Sequence, residues 1–410
     1  MFKTEPRFFY GYIVVMVAFF ILVVSFGLFF SFGVFFKPLL TEFGWTSAMT
    51  SGAFSLSMVM QGVLGVVMGG LADRFGPRLV LTFCGLLIAL GYFLMSQTGA
   101  LWHLYLFFGV IIGIGLSGIW VPLMSFVTKW FVGRRSLMTG IVAAGVGVGG
   151  FMAPPLISRL MAAYDWRLAY MIQGGIVLIV TVSGAQFLRH TPLQMGQRPY
   201  GEDEIKQPAL AAAKAYSLGE AVATAQFWLY CAVCVFYGFC SAAMMVHVVP
   251  YAIDLGIPAI NAANILALAS GVSILGNFGL GGLGDRIGSR WIYIIGFMLM
   301  SASLVGLLLT RGVGMFYGFA VVLGLALGGM ASSESPMVAR LFGLGSHGLI
   351  FGFVSLSYTI GAALGPLVTG YIFDVTGDYH PAFLVCTAGA VTAIIMLAIL
   401  RPTKKLGTKI

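Results

Sequence analysis

Long apolar segments separated by short polar ones follow one another along almost the whole chain. A helix that crosses the hydrocarbon core of a bilayer needs about 20 apolar residues. Twelve segments of that length can be counted, at about 9–36, 49–71, 79–98, 102–128, 137–163, 169–188, 225–252, 258–282, 291–310, 313–339, 349–373 and 381–400. The pattern therefore predicts an all-α membrane protein with twelve transmembrane helices.

The order of these segments repeats halfway along the chain. Residues Gly69–Arg78 (GGLADRFGPR) return as Gly281–Arg290 (GGLGDRIGSR), 212 residues later, and the same offset aligns Pro38 with Pro250. Parallel repeats of this kind are typical of two bundles related by an axis along the membrane normal, with a binding site between them near mid-depth. We therefore expect two pseudo-symmetric six-helix bundles.

One polar region separates the two repeats. Residues 189–224 are rich in proline, glycine and acidic side chains, and we expect them to form a cytoplasmic linker between an N-terminal bundle at 1–188 and a C-terminal bundle at 225–410, which ends in a short basic tail. Within the linker, Ala209–Lys214 and Leu218–Thr224 are candidates for amphipathic surface helices. A plain solvated linker is the alternative.

Composition and charge agree with a membrane location. Hydrophobic residues make up 60% of the chain and charged residues 9%, whereas about a quarter of a soluble domain is charged.

Of the 22 lysines and arginines, 18 fall on the side that holds both termini, and the exceptions are Lys37, Arg159, Arg167 and Arg311. Basic residues are retained on the cytoplasmic side, so we expect a multi-pass protein of the cell inner (plasma) membrane with both termini cytoplasmic. This orientation and contact with anionic lipid explain the net charge of +9, and no nucleic-acid partner is expected.

The repeated segments are predicted to be short, rigid cytoplasmic loops that gate the protein. A carboxylate is stabilised at the positive N-terminal end of a helix. Asp73 is expected to face the helix that begins near Gly348, and Asp285 the helix that begins near Ser136. The predicted gating residues are Asp73, Arg74, Arg78, Asp285, Arg286 and Arg290. The alternative is that both segments are ordinary basic turns.

The chain carries no recognisable catalytic or cofactor motif. All five cysteines lie in predicted helices, and the Cys231–Cys234 spacing, although typical of redox or metal sites, lies in an apolar helix without a basic neighbour. The glycine-rich segments follow no strand and precede no lysine, so a phosphate-binding loop is not indicated. We expect packing cysteines, no cofactor, no metal and no enzymatic activity.

Two titratable residues lie inside predicted membrane helices. Charged groups within the hydrocarbon are costly and usually functional, and only Glu334 and His247 fall near mid-depth in this chain. We expect Glu334 to exchange a proton during a transport cycle, with His247 as a second candidate. Alternatively, Glu334 is a protonated packing residue or the partner of a basic loop residue, and His247 is bonded to a backbone carbonyl.

Polar and aromatic residues at similar depth are candidates for substrate contacts. In the second bundle these are Asn277, Ser273, Ser355 and Tyr358, and in the first bundle they are Phe30, Ser31 and Trp120. Taken singly, each of them also fits a packing role, so the hypothesis concerns the set.

The repeated G-x-L-x-D-R-x-G-x-R segments resemble those of the major facilitator superfamily, and the resemblance covers essentially the whole chain. Further phrases resemble the monocarboxylate and oxalate/formate branch, namely RFFYGY at 7–12, FKPL at 36–39 with FGW at 43–45, KWF at 129–131 with Arg135, DWR at 165–167, TP at 191–192 with Gly196, and FD at 373–374 with Gly377. This resemblance implies secondary transport of small organic acids by alternating access, with proton coupling or exchange.

One position departs from that branch. Its members commonly carry an arginine in the eighth helix, one residue after a glycine and eight before the aspartate of the second repeat, where it can pair with a substrate carboxylate. Asn277 stands at this position here. An asparagine can hydrogen-bond a substrate but brings no charge, so the charge of the substrate stays open.

Three classes of function are compatible with these features. The first is proton-coupled symport of a monocarboxylate, in which a neutral pair of acid and proton tolerates the missing arginine. The second is proton-coupled efflux of a lipophilic or cationic compound, and the third is a non-transporting membrane sensor. The expected partners are a small-molecule substrate, protons and the lipid bilayer, and a chain of twelve helices needs no second copy to form a pathway, so a monomer is expected.

Overall fold

The structure is a computed structural model that describes residues 9–189, 191–201, 216–309 and 312–400. Twelve helices are long and apolar enough to cross a membrane. They are α1 Gly11–Phe43, α2 Ser47–Phe75, α3 Pro77–Met95, α4 Leu101–Trp130, α5 Arg135–Ala163, α6 Trp166–Phe187, α7 Ala225–Asp254, α8 Ala259–Ile287, α9 Ser289–Leu308, α10 Val313–Phe342, α11 His347–Thr376 and α12 His380–Ile399. The prediction of an all-α protein with twelve transmembrane helices is confirmed.

Several predicted features fall partly or wholly outside the described residues. These are the start of the RFFYGY phrase at 7–8, the candidate surface helix Ala209–Lys214 and the basic tail after Leu400. The second candidate surface helix is present in shortened form, as Leu218–Val222. Its start is capped by Ser217, whose side chain accepts from the backbone N–H of Glu220 while the Glu220 carboxylate accepts from the backbone N–H of Ser217. This reciprocal pair satisfies amide groups that a helix start leaves unpaired.

Some spans contain local irregularities. In α1 the regular helix is interrupted at Ser31, between Gly11–Phe30 and Phe32–Phe43. The span ends at Phe43, beyond the end predicted near residue 36. Wider π-helical turns occur at Tyr105–Ile112 in α4 and Leu178–Val182 in α6. In a π-helical turn the backbone hydrogen bonds span five residues instead of the four of an α-helix.

The helices group into two compact units. The first contains α1 to α4, the part of α5 from Ile141 onward, and α6, whereas the second contains Gly133–Gly140 and α7 to α12. The first turn of α5 therefore packs with the second unit. Ser136 and Leu137, whose backbone N–H groups bond to Asp285, lie on this turn and therefore belong to the second unit.

Close backbone approach holds α8 against α10 in the second unit. A side chain added at Gly328 would collide with the backbone oxygen of Ser273 and come within 2.6 Å of the backbone nitrogen of Asn277. Similarly, Gly238 of α7 packs on the backbone of Tyr358 in α11. Small residues at such crossings allow membrane helices to touch. The two polar positions on α8 are therefore fixed directly against α10.

The repeated segments are helix ends rather than loops, so this part of the sequence prediction is wrong. Helix α2 continues to Phe75 and α8 to Ile287, and only Gly76 and Gly288 lie between these helices and the next ones. Their φ angles are 86° and 93°. Glycine adopts this conformation without the steric cost that other residues meet, so one residue suffices to reverse the chain.

Candidate functional site

Glu334 lies inside the second unit, on α10, and is 5% exposed. The hydroxyl of Ser355 on α11 lies 3.5 Å from its Oε1 atom. The hydroxyl of Tyr230 donates to the backbone oxygen of Glu334 over 3.2 Å, and it lies 3.2 Å from the hydroxyl of Tyr293. Three helices besides α10 thus place hydroxyl groups around this carboxyl residue.

Buried phenols form most of this polar cluster. Tyr237 donates to the backbone oxygen of Leu327 over 3.2 Å, and its ring centroid lies 4.9 Å from that of Tyr358. The Tyr358 hydroxyl is 3.3 Å from that of Ser241. Of these tyrosines, sequence reasoning identified only Tyr358. The signal that could have found two of the others is the spacing of Tyr230 and Tyr237, seven residues apart and therefore on one face of α7.

Asn277 and Ser273 occupy one face of α8, and both side chains donate to backbone oxygens of their own helix. Asn277 is 4% exposed, and its side-chain nitrogen donates to the backbone oxygen of Ser273 over 3.0 Å. The Ser273 hydroxyl donates to the backbone oxygen of Ser270. The Oδ1 atom of Asn277 has no hydrogen-bond partner among the described residues. Asn277 therefore presents an unused acceptor in a buried position.

The structure does not place Asn277 and Glu334 on the same side of α10. The α10 residues that meet α8 include Gly328, beside Asn277, and Ser332, whose Cβ lies 3.3 Å from the Cβ position of Gly281. Glu334 follows Ser332 by two residues, which corresponds to a rotation of about 200° around a helix. Glu334 consequently faces the tyrosine cluster, whereas Asn277 lies on the α8 side.

His247 takes the alternative arrangement considered from the sequence. Its Nε2 donates to the backbone oxygen of Pro366 on α11 over 3.0 Å. Its ring lies 5.5 Å from that of Tyr379, measured between centroids. This hydrogen bond gives the imidazole a structural role in joining α7 to α11.

The three first-unit candidates differ in accessibility. Phe30 is 43% exposed, and its ring lies 6.2 Å from that of Phe26, which in turn lies 6.3 Å from Trp120. Ser31 is fully buried, and its hydroxyl donates to the backbone oxygen of Gly27 over 2.8 Å. The aromatic residues therefore form a partly exposed group, whereas the Ser31 hydroxyl is engaged within α1.

Asp285 caps the start of α5, as expected from the sequence. Its two carboxylate oxygens accept from the backbone N–H groups of Ser136 and Leu137, over 2.7 and 3.0 Å. The hydroxyl of Thr139 donates to the backbone oxygen of Ser332 on α10 over 2.6 Å. The first turn of α5 is thus bonded to both α8 and α10.

The other predicted gating residues have more local contacts. Arg290 donates to the backbone oxygen of Ala398, and Arg78 donates to the side chain of Gln186. Arg74 lies over the ring of Phe75, 5.2 Å from its centroid, and Arg286 is exposed.

Asp73 forms an ion pair that sequence reasoning missed. Its Oδ1 lies 2.7 Å from the Nζ of Lys129 on α4, and the two side chains are only 14% and 15% exposed. A second missed pair lies at the opposite ends of the first-unit spans, where Glu42 accepts from the guanidinium of Arg167 and the indole of Trp166, each over 2.6 Å. The first pair joins α2 to α4, and the second joins α1 to α6.

The cysteines were considered as metal ligands together with the other side chains in the described part of the chain. All five cysteines are buried free thiols. Among the described residues, no group of three or more histidine, cysteine, aspartate and glutamate side chains could hold a metal ion.

Comparison with known proteins identifies the family. The Major Facilitator Superfamily model matches residues 18–283 and 252–409. Among curated relatives, mouse (Mus musculus) monocarboxylate transporter 12 is 24% identical and the match covers 98% of this chain and 88% of the relative. Monocarboxylate transporter 13 of Bos taurus is 28% identical, with coverage of 92% and 86%.

Solved structures agree on the fold. The human organic anion transporter TETRAN superimposes with a TM-score of 0.76 at 14% identity, covering 96% of this chain and all of the other. A variant of the E. coli fucose:proton symporter gives a TM-score of 0.70 at 19% identity, covering 95% and 100%. With twelve spans, two compact units and a family match over most of its length, the chain belongs to the major facilitator superfamily and is a multi-pass membrane transporter, not an enzyme.

Proposed function

We propose that this chain carries a small monocarboxylic acid together with a proton by alternating access, and that Glu334 carries the proton. The observation behind the proposal is the burial of this carboxyl residue among hydroxyl groups, at 5% exposure. An ionised carboxylate in such surroundings is costly. A proton on Glu334 removes that cost, and proton release requires a change in its surroundings, which alternating access supplies.

The distribution of charge supports a substrate that crosses as a neutral pair with its proton. In the sequence of α7 to α12, the only lysines or arginines are Arg286, Arg290 and Arg340, all near helix ends. A carboxylate at mid-depth in these helices therefore meets no lysine or arginine. The unused Oδ1 of Asn277 accepts hydrogen bonds, which suits the O–H of a protonated acid better than a carboxylate. The curated relatives named monocarboxylate transporters support the substrate class.

Uptake by proteoliposomes tests the proton role. Labelled lactate, formate and oxalate are supplied with and without a pH gradient, and the Glu334→Gln variant is compared with the native chain. We expect the variant to keep exchange of the transported acid but to lose accumulation driven by the gradient. The matched control is Glu42→Gln, which removes a carboxylate from an exposed ion pair and keeps the gradient response. Accumulation by Glu334→Gln that still follows the gradient would contradict the proposal.

A second candidate function is proton-coupled efflux of a lipophilic or cationic compound. The observation that favours it is the partly exposed aromatic group Phe26, Phe30 and Trp120 in the first unit, because aromatic faces attract cations. Counterflow of a labelled cationic dye separates the two functions. Dye transport without lactate, formate or oxalate transport would favour efflux.

The membrane orientation is part of the proposal. We place both termini in the cytoplasm, because 18 of the 22 lysines and arginines then lie on that side, where basic residues are retained. A monomer in the plasma (inner) membrane is expected, because one chain of twelve helices can form a pathway by itself. A membrane-impermeant maleimide applied to intact cells tests this with the variants Gly99→Cys and Gly345→Cys, both at exposed positions. Only Gly99→Cys should react.

A further inference from the structure

A cavity of about 560 Å³ with both polar and apolar walls lies within the second unit, at the end of α8 and beside the first turn of α5. It is lined by Gly133, Arg134, Leu137, Gly279, Gly282, Leu283, Asp285 and Arg286. Its volume falls within the roughly 300–1,000 Å³ that small-molecule pockets occupy. The cavity is separate from the cluster around Glu334, since the two share no lining residue.

On the α8 side, the cavity wall contains Gly279, which has no side chain, and the leucines on the same helix face border it. Gly279, Leu283 and Arg286 are spaced three or four residues apart and therefore share one helix face. Leu275, one turn earlier on that face, is 64% exposed. A side chain added at Gly279 would meet no atom within 4 Å. An exposed apolar stripe thus leads along the membrane span to an arginine at its end.

The charge of the cavity is positive. Arg134 and Arg286 are both exposed, and Asp285 is the single acidic residue among the lining residues. Both oxygens of Asp285 already accept from the backbone amides of α5. Two arginines and one aspartate give the lining residues a formal charge of +1, at the end of the α8 span.

We propose that this cavity binds the headgroup of an anionic phospholipid. The phosphate lies between Arg134 and Arg286, and an acyl chain follows the stripe formed by Leu283 and Leu275. A single phosphodiester balances the excess charge, and basic groups at the membrane surface attract anionic lipid. The apolar stripe distinguishes a lipid from a soluble phosphate, because a soluble ion gains nothing from it. This site is independent of the transported solute.

The test is a lipid titration of the full-length purified chain, read by native mass spectrometry and by thermal unfolding. Phosphatidylglycerol is the probe, and phosphatidylcholine, inorganic phosphate and glycerol phosphate are the comparisons. We expect phosphatidylglycerol to bind and to raise the unfolding temperature more than the other three. The Arg134→Gln/Arg286→Gln variant should bind it roughly thirtyfold more weakly, whereas Arg74→Gln/Arg78→Gln, which removes two charges from the first unit, should bind as the native chain does.

A second variant fills the cavity without changing its charge. Gly279→Leu places a side chain in open space, so the protein should remain folded while lipid binding is lost. Its matched control is Gly271→Leu, which also meets no atom within 4 Å but lies outside the cavity. Unchanged phosphatidylglycerol binding by Gly279→Leu would overturn the proposal. Equal stabilisation by glycerol phosphate or inorganic phosphate would overturn it too, in favour of a soluble anion.

Discussion

The Oδ1 atom of Asp285 lies 2.7 Å from the backbone nitrogen of Ser136. This contact joins the end of α8 to the first turn of α5, and the second carboxylate oxygen extends it to Leu137. The carboxylate satisfies two of the amide groups that a helix start leaves unpaired, and its charge is favourable at that end of the helix.

Replacing Asp285 should therefore weaken the attachment of α5 within the second unit. We expect Asp285→Ala to lower the free energy of unfolding by about 0.5–2 kcal/mol, the usual cost of a lost helix cap. Asp285→Asn should cost less, because the amide oxygen still accepts one hydrogen bond. Unfolding in mixed micelles measures both. An equal loss for the two variants would show that charge, rather than hydrogen bonding, dominates the contact.

The Asp73–Lys129 pair should depend on both partners. Because both side chains are mostly buried, at 14% and 15% exposure, removing one partner takes a 2.7 Å ion pair from a charge that is largely shielded from water. Asp73→Leu or Lys129→Met alone should cost up to about 3–5 kcal/mol, and the double variant should recover much of that loss. A double-mutant cycle of unfolding free energies measures the coupling. Strictly additive losses would contradict a direct interaction.

The contact between α8 and α10 should tolerate no side chain at Gly328. Gly328→Ala forces the added carbon against the backbone of Ser273, and we expect overpacking to cost about 1–3 kcal/mol. The matched control is Gly318→Ala on the same helix, where an added carbon meets no atom within 4 Å. That variant should be neutral or more stable by up to about 1 kcal/mol. Thermal unfolding of both variants in one detergent gives the comparison.

Acid should remove a small contribution from the turn between α11 and α12. A hydrogen bond from the Nδ1 of His380, 2.6 Å from Oδ1, holds the pKa of Asp378 below its usual range. A carboxyl group with a lowered pKa in the folded state stabilises that state above its unfolded pKa of about 3.9, and the effect is lost as the pH falls through the folded value. Asp378→Asn should flatten the change in unfolding temperature below about pH 4. The effect should be small, because Asp378 is exposed and solvent screens the interaction.

The sequence predicted the membrane helices and the Asp285 contact for clear physical reasons. The length of an apolar segment is set by bilayer thickness, and the repeat located both aspartates at equivalent helix ends. The Lys129 partner of Asp73 was missed because the repeat breaks there, with Leu341 at the position equivalent to Lys129. A lysine without an equivalent in the other half was the available signal.

The arrangement around Glu334 could not be predicted to the same extent. Depth along a helix follows from residue number, and it placed Glu334 and Asn277 at similar levels. The face each residue presents depends on how α8 and α10 are rotated, which is decided by the Gly328 contact. The hydroxyl partners of Tyr230 and Tyr237 likewise depend on helix packing, because a tyrosine in an apolar helix has the same sequence pattern whether its hydroxyl is bonded or not.

Gly288 is the only residue between Ile287 and Ser289, so α8 and α9 are joined without spare chain. A longer connection would let one helix slide along its axis while its neighbour stayed in place. Here a shift of α8 along its axis acts directly on the start of α9, because Ser289 follows Gly288 immediately. Any axial movement of α8 is therefore expected to move the adjoining end of α9 as well.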